Sequence, residues 1–248
     1  QDSIIVDIGG TTSDVGYIKA GFPRQSAIAT DVGGVRTNFR MPDIISIGLG
    51  GGSLIRDNGN KVGPDSVGYR LTEKALVFGG DTLTATDIAV KHYDLDIGDK
   101  SLLNKLDNST VKNAKNQITR LLEDAVDKMK TSSENVPAVF VGGGTILNKE
   151  NLNGISELVI PDNFAVANAV GAALGQVSGE VDRVFHYEKL GREKTIEQAS
   201  NEAKQLAKEA GAKESSIEIN EINENPLAYL PGKSVRLQIK AIGDLENY

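Results

Sequence analysis

The sequence predicts an α/β fold built on an open sheet, and three features carry that expectation. Two apolar runs, Ile4–Ile8 and Ala138–Val141, each end in a glycine turn, at Gly9-Gly10 and at Gly142-Gly143-Gly144. Between them lies a long stretch, from about Thr110 to Lys130, with apolar residues at helical spacing. Near the C-terminus, Val235, Leu237, Ile239 and Ala241 alternate with Arg236, Gln238 and Lys240, as in a strand with one wet face. Glycine turns at strand ends are where open α/β sheets bind ligands.

Taken in order, residues 4–30 read as a β-meander. Its strands are Ile4–Ile8, Val15–Lys19 and Gln25–Thr30, with a turn at Lys19-Ala20-Gly21. Residues 31–108 are rich in loops. They hold a short apolar strand, Ile44–Ile47, and the bend Gly48-Leu49-Gly50-Gly51-Gly52-Ser53. A short helix carrying Ile88–His92 is expected to start at Thr86 or Asp87, either of which caps it. In the long helix, Val111, Ala114, Ile118, Leu121, Leu122, Ala125 and Met129 form one apolar stripe. Ala138–Val141 is apolar enough for a strand buried on both faces.

Residues Ala165–Val177 read as a second helix, with Ala167, Gly171 and Gly175 on one face. Those small residues either admit a neighbouring backbone or simply pack a tight core. The character changes near Gly179. A strand at Val181–Tyr187 precedes a charged helix, Glu193–Gly211, with Ile196, Ala199, Ala203, Leu206 and Ala210 inward. Strands at Ser216–Asn223 and Lys233–Ile242 follow. The expected organisation is one domain at 1–178 and a small α+β unit at 179–248.

Composition excludes several kinds of chemistry. The chain has 248 residues, no Cys and only two His, His92 and His186. Disulfides, thiolate metal sites, Cys nucleophiles and a three-His zinc centre are therefore ruled out. Both His read as ordinary partly buried or surface residues. A net charge of −7 and the absence of Trp disfavour a nucleic-acid surface. No apolar run reaches the roughly 18 residues of a membrane span, and no secretory signal is recognisable. A cytoplasmic location is the default expectation. The chain starts at Gln1 and enters a strand almost at once, so it reads as a piece of a longer protein.

The chemistry concentrates in the first turn. Asp7-Ile8-Gly9-Gly10-Thr11-Thr12-Ser13-Asp14 reads as strand, tight turn, strand. Gly9 and Gly10 let a ligand approach the main chain closely. Thr11, Thr12 and Ser13 offer hydroxyls and N–H groups to an anion. Asp7 and Asp14 can hold Mg²⁺ through water or orient an attacking group. A plain hairpin with a polar tip is the simpler alternative. Val141-Gly142-Gly143-Gly144-Thr145 is the second strand-to-glycine turn. Neither turn fits a Walker loop or the GxGxxG spacing. The bend at Gly51, Gly52 and Ser53 either approaches a ligand or only turns the chain, and Asp87 is either a helix cap or a site residue.

The Asp7–Asp14 segment resembles a phosphate-binding hairpin of the actin, sugar-kinase and heat-shock-chaperone ATPase superfamily. Val141–Thr145 resembles that superfamily's adenosine loop, and Ala165–Gly175 its interlobe helix. Within the superfamily the chain resembles the hydantoinase/oxoprolinase family, of the hydantoinase A subunit type. Further stretches share the likeness: Ile47–Ser53, Val62–Ser66, Thr84–Asp87, Leu227–Gly232 and Ala241–Asp244.

The resemblance implies a ribonuclease-H-like, actin-type ATPase lobe with a loop-rich α+β insertion at about 31–130 and a small C-terminal α+β unit. It implies ATP- and Mg²⁺-dependent ring opening of a cyclic amide such as a hydantoin or 5-oxoproline. Asp7 and Asp14 are then the catalytic and metal-holding residues. Gly9, Gly10, Thr11 and Thr12 contact phosphate, and Gly142, Gly143, Gly144 and Thr145 face adenosine. Gly51, Gly52, Ser53 and Asp87 are the substrate-side candidates. Only one of the superfamily's two phosphate hairpins is present, so the resemblance implies an N-terminal lobe elsewhere and a B-type subunit as a partner. The alternatives are a non-catalytic nucleotide-binding subunit and a kinase or ATP-dependent carboxylase subunit on the same scaffold.

Overall fold

The structure is a computed structural model that describes the chain apart from residues 1, 20, 26–29, 33–34, 38–41, 174, 231–232 and 247–248. The first strands are β1 (Ser3–Ile8), β2 (Ser13–Lys19), β3 (Phe22–Pro23), β4 (Thr30–Val32), β5 (Val35–Thr37), β6 (Ile44–Ile47), β7 (Ser53–Arg56) and β8 (Lys61–Ser66). Then come α1 (Leu71–Lys74), α2 (Ala85–Tyr93), α3 (Asn108–Met129), β9 (Val136–Val141), β10 (Ile155–Val159) and α4 (Ala167–Ala173). The last elements are β11 (Gln176–His186), α5 (Tyr187–Leu190), α6 (Arg192–Glu209), β12 (Glu218–Pro226) and β13 (Ser234–Asp244). The chain divides into two compact units, residues 1–168 and 169–248. Among the described residues no helix is long and apolar enough to cross a membrane.

In the first unit, strands run in the order β10-β9-β1-β2-β3, and β6 also pairs with β2. β1 and β2 form an antiparallel hairpin, whereas β9 lies parallel to β1 and β10 parallel to β9. The outer edge of β2 is shared: β6 takes Ser13–Gly16, and β3 takes Ile18 and Lys19. Alternation in the sequence decides the faces. Ile4, Val6, Ile8, Val15, Tyr17, Ala138 and Phe140 point into one core, where the α3 stripe meets them through Val111, Ala114, Ile118, Leu122, Ala125 and Met129. Leu121 is only partly buried at the edge of that stripe. Asp107 caps α3 by accepting from Thr110 N at 3.3 Å. Of the stretch 31–130, β6 is built into the sheet, and α2 and α3 into its core.

Some local features differ from expectation. The strand that follows β2 in the sheet is Phe22–Pro23; of the expected strand Gln25–Thr30, Gln25 bridges Pro42 and Thr30 begins another strand. Pro23 has no N–H to extend the ladder, and Arg24 N reaches back to Tyr17 O at 2.8 Å. Residues 26–29 lie outside the described residues, and Thr30 opens β4, which pairs with β5. The helix expected over Ala165–Val177 is shorter, with a 3₁₀ turn at Phe164–Val166 leading into α4. Gln176 and Val177 are already committed to Asp244 and Gly243 of β13, so sheet pairing overrides helical propensity there. Gly175 therefore lies outside the helix. β10 and the β7–β8 hairpin were not legible: Ile155–Val159 is short and mixed, and β8 contains Gly63-Pro64.

The second unit is a three-stranded antiparallel sheet, β11-β13-β12, with α6 on one face. The alternation of β13 holds: Val235, Leu237, Ile239 and Ala241 are buried and Arg236 is exposed. The inward face of α6 differs from expectation. Ala199, Ala203 and Ala207 are fully buried, while Leu206 is 38% exposed. The reason is distance. A methyl on Gly179 of β11 would lie 2.2 Å from both Ala203 O and Ala207 N, so helix and strand backbones touch and only Ala fits between them. At the rim, Tyr187 OH donates to Glu224 Oε2 at 2.6 Å, and Arg192 also pairs with Glu224.

Two outcomes follow. Gly179→Ala is expected to destabilise this unit by about 1–3 kcal/mol or more, read by urea unfolding, because backbone blocks the new methyl. Burial, and then the Glu224 carboxylate, push the Tyr187 phenol up to about 12. The unfolded chain loses that proton first, at about 10, so stability falls as pH rises from about 10 to about 12. An absorbance titration of the folded chain is expected to show a tyrosine ionising at about 12 that disappears in Tyr187→Phe.

Candidate functional site

Because β1 and β9 are adjacent and parallel, their glycine turns emerge side by side although about 135 positions separate them in sequence. The contact between the turns is backbone on backbone. A methyl on Gly142 would sit 2.4 Å from Asp7 Oδ1 and 2.5 Å from Ile8 O, and Gly142 has φ +86°. A methyl on Gly144 would sit 2.8 Å from Gly9 O. Any side chain at either position would push the turns apart. Gly142 N is tied down by Phe164 O at 2.7 Å, and Thr145 N by Gly142 O at 3.2 Å.

The carboxylates lie on the sheet face opposite the core. Asp7 and Asp14 are direct cross-strand partners in the β1–β2 ladder. Gly10, Thr11, Thr12 and Asp14 are exposed, and Asp7 is half-buried. Asn168 Nδ2 donates to Asp7 Oδ2 at 3.3 Å, and the Ser46 hydroxyl donates to Asp14 Oδ1. A groove of about 290 Å³ runs from the two carboxylates past Ile5, Gly16 and Ile18 to Ile44.

The bend Gly50–Ser53 sits beneath the hairpin turn and holds it. Gly51 N donates to Gly9 O at 3.0 Å, and Gly52 N donates to Gly10 O at 2.7 Å. A methyl on Gly50 would lie 2.5 Å from Thr11 N. Ser53 Oγ accepts from Gly50 N at 2.9 Å, and Ser13 Oγ donates to Leu49 O at 2.6 Å. Gly51, Gly52 and Ser53 are buried, and their polar groups face protein. Of their two sequence readings, the geometry matches the bend that turns and supports the chain.

Asp87 likewise faces inward. It is fully buried and accepts from Val77 N, Thr84 N and Thr84 Oγ1, each at 2.8 Å, and from Leu76 N at 3.3 Å. Thr84, not Thr86 or Asp87, is the N-cap of α2, and Asp87 completes a capping box three residues on. Burial holds the Asp87 carboxyl above the ordinary carboxylate range, although every donor around it favours the charged form. Thr86 serves the floor of the site instead, where its N and Oγ1 both donate to Gly51 O, at 2.9 and 2.8 Å.

Within the second glycine turn, Gly143 is exposed, while Gly144 and Thr145 are buried. The 3₁₀ turn Gly143–Leu147 ends at Asn148, which is fully buried. Asn148 Oδ1 accepts from Lys115 Nζ of α3 at 2.9 Å, and the same ammonium donates to Thr119 Oγ1 at 2.7 Å. This buried ion anchors the far end of the loop to the core helix. His92 stands 3.7 Å from Glu150, and His186 Nδ1 is 2.9 Å from Ser234 Oγ; neither belongs to the turns.

Among the described residues, no three His, Cys, Asp or Glu side chains gather as a cage for a metal. The pair Asp7 and Asp14 nonetheless suits Mg²⁺. That ion prefers hard oxygen ligands and is usually held by one or two carboxylates, with phosphate oxygens and water completing the shell.

Sequence reasoning did not find Asn168, Ser46 or Lys115. Asn168 had one signal: it is the only strongly polar residue in the run Ala165–Gly175. Lys115 had none, because helical periodicity does not distinguish a buried lysine from a solvated one.

Residues 1–92 match the family model described as hydantoinase/oxoprolinase. No curated protein matches the chain. Among solved structures, the ATP-dependent caprolactamase from Pseudomonas jessenii is similar with a TM-score of 0.64 at 18% identity, over 100% of this chain and 47% of that one. The nucleotide-free structure of acetone carboxylase, from work on ATP-dependent acetone carboxylation, is similar with a TM-score of 0.59 at 18% identity, over 99% and 47%. The chain thus spans about half the length of each, and at this identity the likeness is one of fold.

Replacing Asn148 by Ala is expected to cost about 1–3 kcal/mol in denaturant unfolding, because it strips a partner from a buried ammonium. Adding Lys115→Met to that variant is expected to recover part of the loss, since no buried charge then remains. The N-terminal glycine turn and its floor lie wholly within residues 1–92, the stretch that is similar to the hydantoinase/oxoprolinase family.

Proposed function

We propose that this chain is one lobe of an ATP- and Mg²⁺-dependent enzyme that opens a cyclic amide such as a hydantoin or 5-oxoproline. The observation that carries the reading is the meeting of the two glycine turns beside a paired Asp7 and Asp14. The strand order, an antiparallel hairpin continued by two parallel strands, supports reading the first unit as a ribonuclease-H-like lobe of actin type. The caprolactamase likeness supports a cyclic amide as substrate.

Opening an unstrained lactam is thermodynamically poor, and ATP with Mg²⁺ would supply the driving force by phosphorylating the amide oxygen ahead of attack by water. The chain's residues provide position and charge, which is most of what phosphoryl transfer asks of a protein. The exposed Gly10, Thr11 and Thr12 present N–H groups and hydroxyls to phosphate oxygens. Gly143 opens the second turn to the adenosine side, while Gly142 and Gly144 keep that turn close. Asp7 and Asp14 hold the cation and orient what it binds. Under this reading a matching lobe supplies the opposite phosphate clamp, and a B-type subunit is a partner.

The acetone carboxylase likeness favours a second reading, ATP-dependent carboxylation on the same scaffold. One assay separates the two. Phosphate release by the protein that carries this chain is measured with hydantoin, 5-oxoproline or caprolactam, and separately with a ketone and bicarbonate. Stimulation by a cyclic amide is expected. Asp7→Asn is expected to lower that stimulated rate by about 100-fold or more, since it removes a carboxylate that would hold the cation neutralising the charge on the transferring phosphoryl group. Stimulation by ketone and bicarbonate alone would select the carboxylase reading, and nucleotide binding without turnover would select a non-catalytic subunit.

A further inference from the structure

Four polar side chains form a single row across the outer face of the sheet. The β2–β6 ladder sets Ser46 opposite Asp14, and the β1–β2 ladder sets Asp14 opposite Asp7. Asn168, at the start of α4, closes the row by donating to Asp7. Around it lie Ile5, Gly16, Ile18 and Ile44. Two carboxylates placed directly opposite each other on neighbouring strands repel. Here neither side chain bonds the other. Each takes a donor from outside the pair, Asn168 on Asp7 Oδ2 and Ser46 on Asp14 Oδ1. The other oxygen of Asp7, Oδ1, stays on the side of Gly142, where the lack of a Cβ leaves room for it.

We infer that Asn168 and Ser46 are positioning residues that fix the two carboxylates for a divalent cation. This inference rests on the nucleotide and metal reading given above. The chemistry of the donors carries it. Both are neutral, so they orient the carboxylates and leave their summed negative charge intact, whereas Lys or Arg in either place would cancel part of it. Outer donors of this kind set the direction and basicity of ligand oxygens, and their loss characteristically weakens metal affinity about 10–100-fold. Both bonds are exposed to solvent, where a hydrogen bond contributes little to folding. A purely structural role would therefore leave little to lose. The two donors also come from separate elements, β6 and α4, so each can be removed without touching the hairpin.

The test is a Mn²⁺ titration of the protein that carries this chain followed by electron paramagnetic resonance, with ATP present, alongside a thermal melt. Wild type, Asn168→Ala, Ser46→Ala and Ser46→Thr are compared. Each Ala variant is expected to weaken Mn²⁺ binding about tenfold with an unchanged melting temperature, and Ser46→Thr to restore it. Ala variants that bind Mn²⁺ as wild type does would overturn the assignment while leaving the nucleotide and metal reading in place. A loss of binding that tracks a fall in melting temperature and is not restored by Ser46→Thr would make the roles structural and overturn it as well. Failure of the wild-type protein that carries this chain to bind Mn²⁺ with ATP present would remove the metal reading and this inference together.

Discussion

Everything at the candidate site depends on two stretches of backbone approaching more closely than side chains allow. The turn after β1 and the turn after β9 meet with no Cβ between them, because Gly142 and Gly144 have none to place there. The constraint is steric and does not yield gradually. The atoms a methyl would strike at Gly142 include a backbone carbonyl and the Asp7 carboxylate itself, so relief would come only by moving the strand end that carries the acid. Placement of the carboxylate and closeness of the turns are thus one geometric fact.

The hairpin is held from below in the same manner. The bend at Gly50–Ser53 spends its main-chain N–H groups on the carbonyls of Gly9 and Gly10, and its own carbonyls accept from Thr86 and Val67. The turn's inward groups are thus satisfied, while Gly10, Thr11 and Thr12 stay exposed. α2 enters this system through Thr86, and the capping box of Thr84 and Asp87 fixes where α2 begins. The buried acid at Asp87 therefore influences the site at a distance, through the helix end it stabilises. On the other flank, Lys115 and Asn148 anchor the second turn to α3, so both turns are fastened to the same core.

The second unit solves a packing problem with the same device. Gly179 admits α6 at backbone contact, and the helix answers with Ala199, Ala203 and Ala207. Expectation from periodicity put Leu206 and Ala210 inward as well. A helix this close to a strand presents a narrower buried face than a helix standing on side chains, so the larger residue turns outward. Size, as well as hydrophobicity, selects which residues of an amphipathic helix are buried.

The sequence alone determined the two strand-turn units, the long helix with its stripe, and the alternating last strand, because each is encoded by residues adjacent in the chain. It also carried the candidate carboxylates and glycines, since glycine next to hydroxyl and acid is a local pattern. Tertiary structure alone decided which of these residues meet. The β1–β9 register brought Asp7 to Gly142, the β2–β6 register brought Ser46 to Asp14, and α4 brought Asn168 to Asp7. It also separated Gly51, Gly52, Ser53 and Asp87 from the outward surface by burying them, and committed Gln176 and Val177 to a ladder with β13 rather than to a helix. Local patterning fixes what each segment can become. Pairing between strands distant in sequence fixes what each side chain faces, and that information lies in no single stretch of the chain.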